Sequence, residues 1–331
     1  MIREKADQAI SDPVWSGDVM IIDGKNLVHR LAALETSSER TVAVVIEKLT
    51  FLLEWYKPSR MIVGWEGDGS NWRFEYLPEY KGHRDRSTEI AARVSGAVEM
   101  LPGILAETVF DQATTTNAEG DDVFGTLAHR FASQSLDVAI YSNDGDLWQL
   151  VTDKITVIRP RRGDQHDLAV TLDYVRTVGP KDVQKHTGTG IEPTAIVDLK
   201  GLMGDSGDNI PGVKGVGPKV AIELVKKHGS FEGVMAAALL TDTEPAEGEA
   251  KTKHAKRVRE EFGATLSKLK RIRDQGSQAR ASFEAGKIRR DVEIIEVEPR
   301  VTLARMLYVK LRSFGASDWL LTRVDKIVRS K

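Results

Sequence analysis

The feature that most restricts the fold is a set of short apolar runs that lead into acids. Val19-Met-Ile-Ile-Asp23 ends on one, Arg60-Met-Ile-Val63 leads to Glu66, and the run from Asp137 to Ser142 leads to Asp144 and Asp146. Lys154 to Arg159 is a fourth strand-like run. Short runs without polar alternation are expected of strands buried on both faces. Between them, Val44, Val45, Leu49, Leu52 and Leu53 fall at helical spacing over Thr41 to Tyr56, and Pro58 stops that helix. Asp121 to Gln134 also reads as a helix. Strands alternating with helices predict an α/β core around a mostly parallel sheet. The crevice beyond the carboxyl ends of such strands is the usual ligand site. The acids that follow these runs are therefore expected to meet there.

After about Leu172 strand-like runs become rare. Thr194 to Met203 and Pro218 to His228 read as helices with glycine-rich turns between them. Residues 241–290 are charged and poor in aromatics, and are expected to be helices or a partly mobile segment. Val292 to Val297 is expected to return as a strand, and Asp318 to Val328 as a terminal helix. Length, 331 residues, allows one large or two modest domains. The absence of cysteine excludes disulfides, thiolate metal sites and a cysteine nucleophile, and fits a reducing, cytoplasmic location. Residues 1–13 lack the apolar core of a signal peptide, and no apolar run nears the ~20 residues of a membrane span, so no membrane partner is expected.

Nine carboxylates stand out. Asp23, Glu66, Asp144 and Asp146 follow strands; Glu119, Asp121 and Asp122 open a predicted helix; Asp205 and Asp208 form a further pair. Converging carboxylates repel one another and raise each other's pKa. Divalent cations are the simplest compensation. A set of hard oxygen ligands with no Cys or His points to Mg²⁺ or Mn²⁺. Two such ions about 4 Å apart activate water and stabilise the leaving oxygen of a phosphodiester. Each acid alone has an ordinary explanation as a helix cap, an acidic first helical turn or a turn residue. Their conjunction is what favours a metal site.

Two basic stretches fit a polyanion. Arg73-Phe-Glu-Tyr-Leu-Pro-Glu-Tyr80-Lys81-Gly-His83-Arg84 mixes aromatics with cations. A base can stack on Tyr80 while Lys81 and Arg84 meet phosphate, with Arg73 and His83 as further DNA contacts, and Lys81 or Arg84 can stabilise charge on a reacting phosphate. The alternative is a charged surface loop. Asn209-Ile-Pro-Gly212-Val-Lys214-Gly215-Val-Gly217-Pro218-Lys219 is a glycine hairpin running into a helix start. Its glycines permit positive φ, and its amides suit a phosphate. The alternative there is a turn used only for packing. Net charge is only −2, below what a DNA-binding chain leads one to expect, so the segregation of basic clusters from acidic motifs carries the argument. Those clusters are Lys81, Arg84 and Arg86; Arg159, Arg161 and Arg162; and Lys251 to Arg273.

Ile22-Asp23-Gly24, Leu77-Pro-Glu-Tyr-Lys-Gly-His-Arg84, Glu119-Gly-Asp-Asp122, Asn143-Asp-Gly-Asp146 and Met203-Gly-Asp-Ser-Gly-Asp-Asn-Ile-Pro-Gly212 occur in this order. Together they resemble the successive motifs of bacteriophage flap endonucleases and of the 5′ nuclease domain of bacterial DNA polymerase I, over about residues 18–235. The resemblance implies a PIN-like, Rossmann-like nuclease core over 18–172 with a helical arch at about 81–106. It implies a helix–hairpin (helix-3-turn-helix) DNA-binding region over 173–240. Residues 241–331, which match only loosely, are read as a mixed region packing back on the core. One implied metal group is Asp23, Glu66, Glu119, Asp121 and Asp144; the other is Asp122, Asp146, Asp205 and Asp208. Lys81 and Arg84 match the pair that contacts the scissile phosphate at the base of the arch. Gly212, Lys214, Gly215, Gly217 and Lys219 lie in the segment that holds duplex DNA and a K⁺ ion. The implied activity is cutting of DNA at 5′ ends, nicks and flaps, with primer removal as the role and a monomer as the working state. Glu66 departs from the family's usual Asp, and Asp68 stands close by as a substitute ligand. A PIN-type ribonuclease and a junction-binding protein with a spent site are the alternatives. The first is not expected to carry the glycine hairpin, and the second is not expected to keep the acids.

Overall fold

β1 (Val19–Asp23) is buried along its whole length and pairs in parallel with β2 (Arg60–Gly64) on one side and β4 (Val138–Tyr141) on the other. β3 (Asp111–Thr114) lies parallel beyond β2, and β5 (Ile155–Arg159) beyond β4. β6 (Leu168–Val170) and β7 (Ile295–Glu296) add antiparallel edges, giving one seven-stranded sheet in the order β6-β5-β4-β1-β2-β3-β7. This is a computed structural model, and it describes residues 12–67, 69, 71–83, 88–160, 167–171, 192–240 and 249–329. Asp68, Arg84, Arg86, Arg161 and Arg162, all singled out in the sequence, lie outside the described residues.

The sheet is mixed but mostly parallel, as the run pattern predicts. β3 escapes that pattern because it is not apolar. Its Gln112 satisfies its amide with the Trp65 indole and the Pro102 carbonyl, which lets a polar strand stay buried. α1 (Gly24–Ala32), α2 (Ser38–Tyr56) and α3 (Glu89–Leu105) cover one face, and α4 (Gly120–Ala132) the other. α2 is capped by the Ser37 hydroxyl and ends at left-handed Lys57, one residue before Pro58.

α3 falls within the arch expected over 81–106. Residues 89–105 form one helix that buries Val94, Ala97, Leu101, Ile104 and Leu105 against α1 and α2. Apolar spacing on one face makes it a core helix. Of the rest of that stretch, residues 84–87 lie outside the described residues.

A second core forms from α5 (Ile196–Met203), α6 (Pro218–His228), α7 (Phe231–Leu239), α8 (Lys251–Phe262), α9 (Leu266–Asp274) and α10 (Gly276–Ala285). The described part of the charged stretch 241–290 thus includes three helices that bury Val258, Phe262, Leu269, Ile272 and Ala279. After α10 the chain returns to the sheet, first as β7, within the stretch 292–297 expected as a strand, and then through α11 (Ala304–Ser313), α12 (Asp318–Leu321) and α13 (Val324–Ile327), which pack Leu307, Leu311, Leu320 and Ile327 against its core. The single terminal helix expected over 318–328 is broken at Thr322 and Arg323. No helix among the described residues is long and apolar enough to cross a membrane.

One buried ion pair joins the two cores. The Arg73 guanidinium donates to both oxygens of Asp122, at 2.7 and 3.0 Å, and to the carbonyls of Ala285 (3.0 Å) and Lys287 (2.6 Å) at the end of α10. Asp122 also accepts from the Trp72 indole and from the backbone N–H groups of Glu119 and Arg289. Two expectations are corrected here. Asp122, placed in the second metal group, is fully buried with its lone pairs spent on these donors. Arg73, placed among the DNA contacts, is 2% exposed and holds the cores together. Removing one partner of a buried pair strands the other charge. Asp122→Ala is predicted to lower unfolding free energy by about 3–5 kcal/mol in urea titration; a loss below about 1 kcal/mol would mean the pair behaves like a surface one.

Candidate metal and phosphate site

Register places the site. Ile22 pairs with Tyr141, so Asp23 and Ser142 follow side by side at the strand ends. The Ser142 hydroxyl donates to Asp23 at 2.7 Å, and the Asn26 N–H donates to its other oxygen at 3.0 Å, making Asp23 the cap of α1 as well as the end of β1. Burial pushes the Asp23 carboxyl up to about 6, the hydrogen bonds from Asn26 and Ser142 oppose this, and Asp144 and Glu66 add to the rise. Ser142 Oγ also accepts from the Asp144 N–H, and Asp144 accepts from the Asp146 N–H at 2.9 Å. The Asn143-Asp-Gly turn is thus real, and it aims both acids at Asp23's end of the sheet. Asp121, in the first turn of α4, has its carboxyl driven well above the usual range by burial and then by Asp144.

Glu119 is held differently. Lys81 donates to both its oxygens at 2.8 and 2.7 Å, and the Tyr80 hydroxyl donates at 3.0 Å. Burial alone would raise this carboxyl, but Lys81 and Arg73 reverse the shift and hold it low. The Lys81 charge likewise survives burial because Glu119, Asp208 and Asp121 face it. Lys81 has positive φ (53°), and its N–H donates to the Asp208 carbonyl, so strain and backbone both fix where its side chain starts. Tyr80 is corrected from a base-stacking residue: it is 4% exposed, and its hydroxyl lies between Glu119 and Asp208. His83 is exposed next to this strap.

Asp146, Asp205 and Asp208 offer oxygens that all lie within 4.8 Å of one another. A tight loop, closed by mutual Asp205–Ile210 backbone hydrogen bonds, presents the last two. Lys200, on α5, is 1% exposed and pairs with Asp146 and, at 2.8 Å, with Asp205. Burial pushes the Asp146 carboxyl up to about 6 despite Lys200, with Asp144 and Asp208 adding to the rise. Asp205, against its own burial, is held low by Lys200 and by the N–H groups of Gly207 and Asp208. The sequence reading missed Lys200. Its signal was a lysine inside the apolar run Ile196-Val-Asp-Leu-Lys-Gly-Leu-Met203. The donor set fits a hard divalent cation: carboxylate oxygens only, three of them close enough to share one ion.

Glu66 lies at the rim, about half exposed, in an ion pair with Lys25 from the first turn of α1. The hairpin carries mixed duties. Gly212 is corrected as a phosphate contact, because its N–H donates to Ser282 and its carbonyl accepts from Gln278 at 2.6 Å. At φ 59°, with the Gly204 backbone against it, only glycine fits. Lys214, Gly215, Gly217 and Lys219 are exposed around the start of α6, where Pro218 takes the first helical position.

Against this geometry, two family models match in succession: the 5′-3′ exonuclease N-terminal resolvase-like domain over residues 18–188, and the 5′-3′ exonuclease C-terminal SAM fold over 191–299. DNA polymerase I of Bacillus subtilis is 32% identical over 227 residues, covering 66% of this chain and 24% of the relative. The chain thus spans about a quarter of the length of such polymerases. A 5′-3′ exonuclease of Aquifex aeolicus is 30% identical over 222 residues, covering 65% of this chain and 71% of the relative. Among solved structures, a bacteriophage T5 flap endonuclease in a pseudo-enzyme–product complex with DNA and metal ions shares the fold, with TM-score 0.57 at 20% identity over 93% of this chain and 98% of that one. Two consecutive family models spanning most of the described residues leave one assignment: the chain belongs to the 5′-3′ exonuclease family.

Proposed function

We propose that this chain is a divalent-metal-dependent 5′ nuclease that hydrolyses DNA phosphodiesters at 5′ ends, nicks and flaps, acting as a monomer in replication and primer removal. The observation that carries the reading is the meeting of carboxylates from separate chain segments beside one constrained lysine, Lys81. Asp23, Glu66, Glu119, Asp121 and Asp144 would hold Mg²⁺ or Mn²⁺ on one side, and Asp146, Asp205 and Asp208 on the other. When bound, such ions supply Lewis acidity for water activation and leaving-group stabilisation.

The chain's own groups do the rest. Lys81 starts from a fixed backbone and lies on Glu119, so a phosphate oxygen entering here gains a preformed cation. Tyr80 keeps Glu119 and Asp208 in register. Lys200, too buried to leave, offsets part of the charge of Asp146 and Asp205. Lys214, Lys219 and the amides opening α6 suit duplex phosphates, which would hold DNA without reading its sequence. The hairpin is also the seat of the K⁺ that the family resemblance implies. In this reading residues 18–172 are the nuclease core, and 173–240 bind duplex together with α8–α10.

Two outcomes are expected. A 5′-labelled flap duplex is released near its junction in Mg²⁺ and stays intact in EDTA, and Asp146→Asn abolishes release while gel-shift binding persists. Binding without cutting in either Mg²⁺ or Mn²⁺ would overturn the nuclease reading. Lys81→Ala lowers single-turnover kcat about 10²–10³-fold with a much smaller change in affinity, as loss of a transition-state contact requires. Equal losses in both would make Lys81 a grip residue.

A further inference from the structure

A cleft of about 650 Å³ opens beside the carboxylates, on the β3 flank of the site. Asn71, Trp72, Phe74 and Glu75 on one wall follow Glu66 in the chain, and residues 115–118 on another lead directly into Glu119. The cleft therefore shares its walls with the catalytic loops, and the function derived so far does not use it. Its volume falls within the range of small-ligand sites.

The lining selects a flat, neutral, polar-edged guest. Phe74 is 46% exposed, an unusual position for a phenylalanine beside a charged site, and its ring meets the Tyr80 ring edge-on. The Arg289 guanidinium lies over the Trp72 ring, 4.1 Å from its centroid, and is itself exposed. An aromatic ring and a stacked guanidinium are the two platforms on which nucleobases lie. The Asn71 carbonyl oxygen is spent on the Arg73 N–H, which leaves its amino group, and exposed Asn117 adds a second carboxamide. Such groups hydrogen-bond base edges. Glu75, Asp291 and Glu293 also line the cleft and repel phosphate.

We infer that this cleft is a subsite for one unpaired nucleobase of the DNA strand being cut, stacked on Phe74 with its backbone left outside the cleft. Acids in the cleft would then keep the phosphate out at the catalytic side, where Lys81 waits. Trp72, the floor, donates to Asp122, and Asp122 accepts from the Glu119 N–H, so the subsite is fixed relative to the carboxylates. The inference rests on the proposed 5′ nuclease reading for the nature of the strand.

The test places 2-aminopurine singly at successive unpaired positions of a flap duplex and follows its fluorescence with the full chain in Ca²⁺, so that no cutting is needed for the readout. One or two neighbouring positions should be quenched, the quench should vanish in Phe74→Ala, and Phe74→Trp should restore it. Phe74→Ala should weaken binding about tenfold, as loss of one base stack does, and should make no difference on a strand abasic at the quenched position. No Phe74-dependent quench at any unpaired position, or equal weakening on intact and abasic strands, overturns the subsite. A wild-type chain that quenches but never cuts in Mg²⁺ would instead remove the nuclease reading and leave the cleft standing.

Discussion

The structure depends on how buried carboxylates are compensated. A carboxylate taken out of water needs a cation or several donors, or it stays protonated. This chain meets the need with its own groups at most positions. Arg73 neutralises Asp122, Lys81 neutralises Glu119, Lys200 lies between Asp146 and Asp205, and Ser142 with Asn26 supports Asp23. What these groups leave uncompensated is uneven. Asp23, Asp121 and Asp146 keep carboxyls pushed above their ordinary range, and all three are repelled by Asp144. That residual negative field, focused beside Asp144 at the strand ends, is where a divalent cation gains most.

The same economy links the helical core to the chemistry. Gly212 in the hairpin is tied to Ser282 and Gln278 of α10. The end of α10 is tied through the Ala285 and Lys287 carbonyls to Arg73, and Arg73 to Asp122 and Glu119. A duplex gripped at the start of α6 would therefore stand at a fixed offset from the carboxylates. In the proposed reading this offset, set by a buried ion pair and a glycine turn, is what makes cutting depend on the shape of the DNA.

Much of this was legible in the sequence because it is periodic or local. Apolar runs gave β1, β2, β4 and β5, and the helix over Pro218–His228 was delimited by its proline and the glycine after it. Acids at strand ends were legible because parallel sheets bring those ends together. What the sequence hid is which charges are buried. Arg73, Lys200 and Tyr80 look like solvated or DNA-facing residues by type, and only the fold shows them inside. Asp122 sits beside Asp121 in the chain, but consecutive helical residues point about 100° apart, so one faces the cluster and the other faces Arg73. The packing of residues 89–105 was hidden for a related reason: the spacing of Val94, Ala97, Leu101 and Ile104 belongs to a packed helix, and polar neighbours masked it. Ser142 was hidden because a serine after a strand carries no signal until its register with Asp23 is known.

The fold holds the strand-end carboxylates close enough that their repulsion strains it, and a divalent ion would relieve that strain. Thermal unfolding of the DNA-free chain, with EDTA or with Mn²⁺, in the wild type and in Asp121→Asn, tests it most directly. Mn²⁺ should raise the wild-type Tm, and Asp121→Asn should raise the Tm in EDTA while shrinking the Mn²⁺ shift. A variant that is less stable in EDTA and keeps the full Mn²⁺ shift would contradict it.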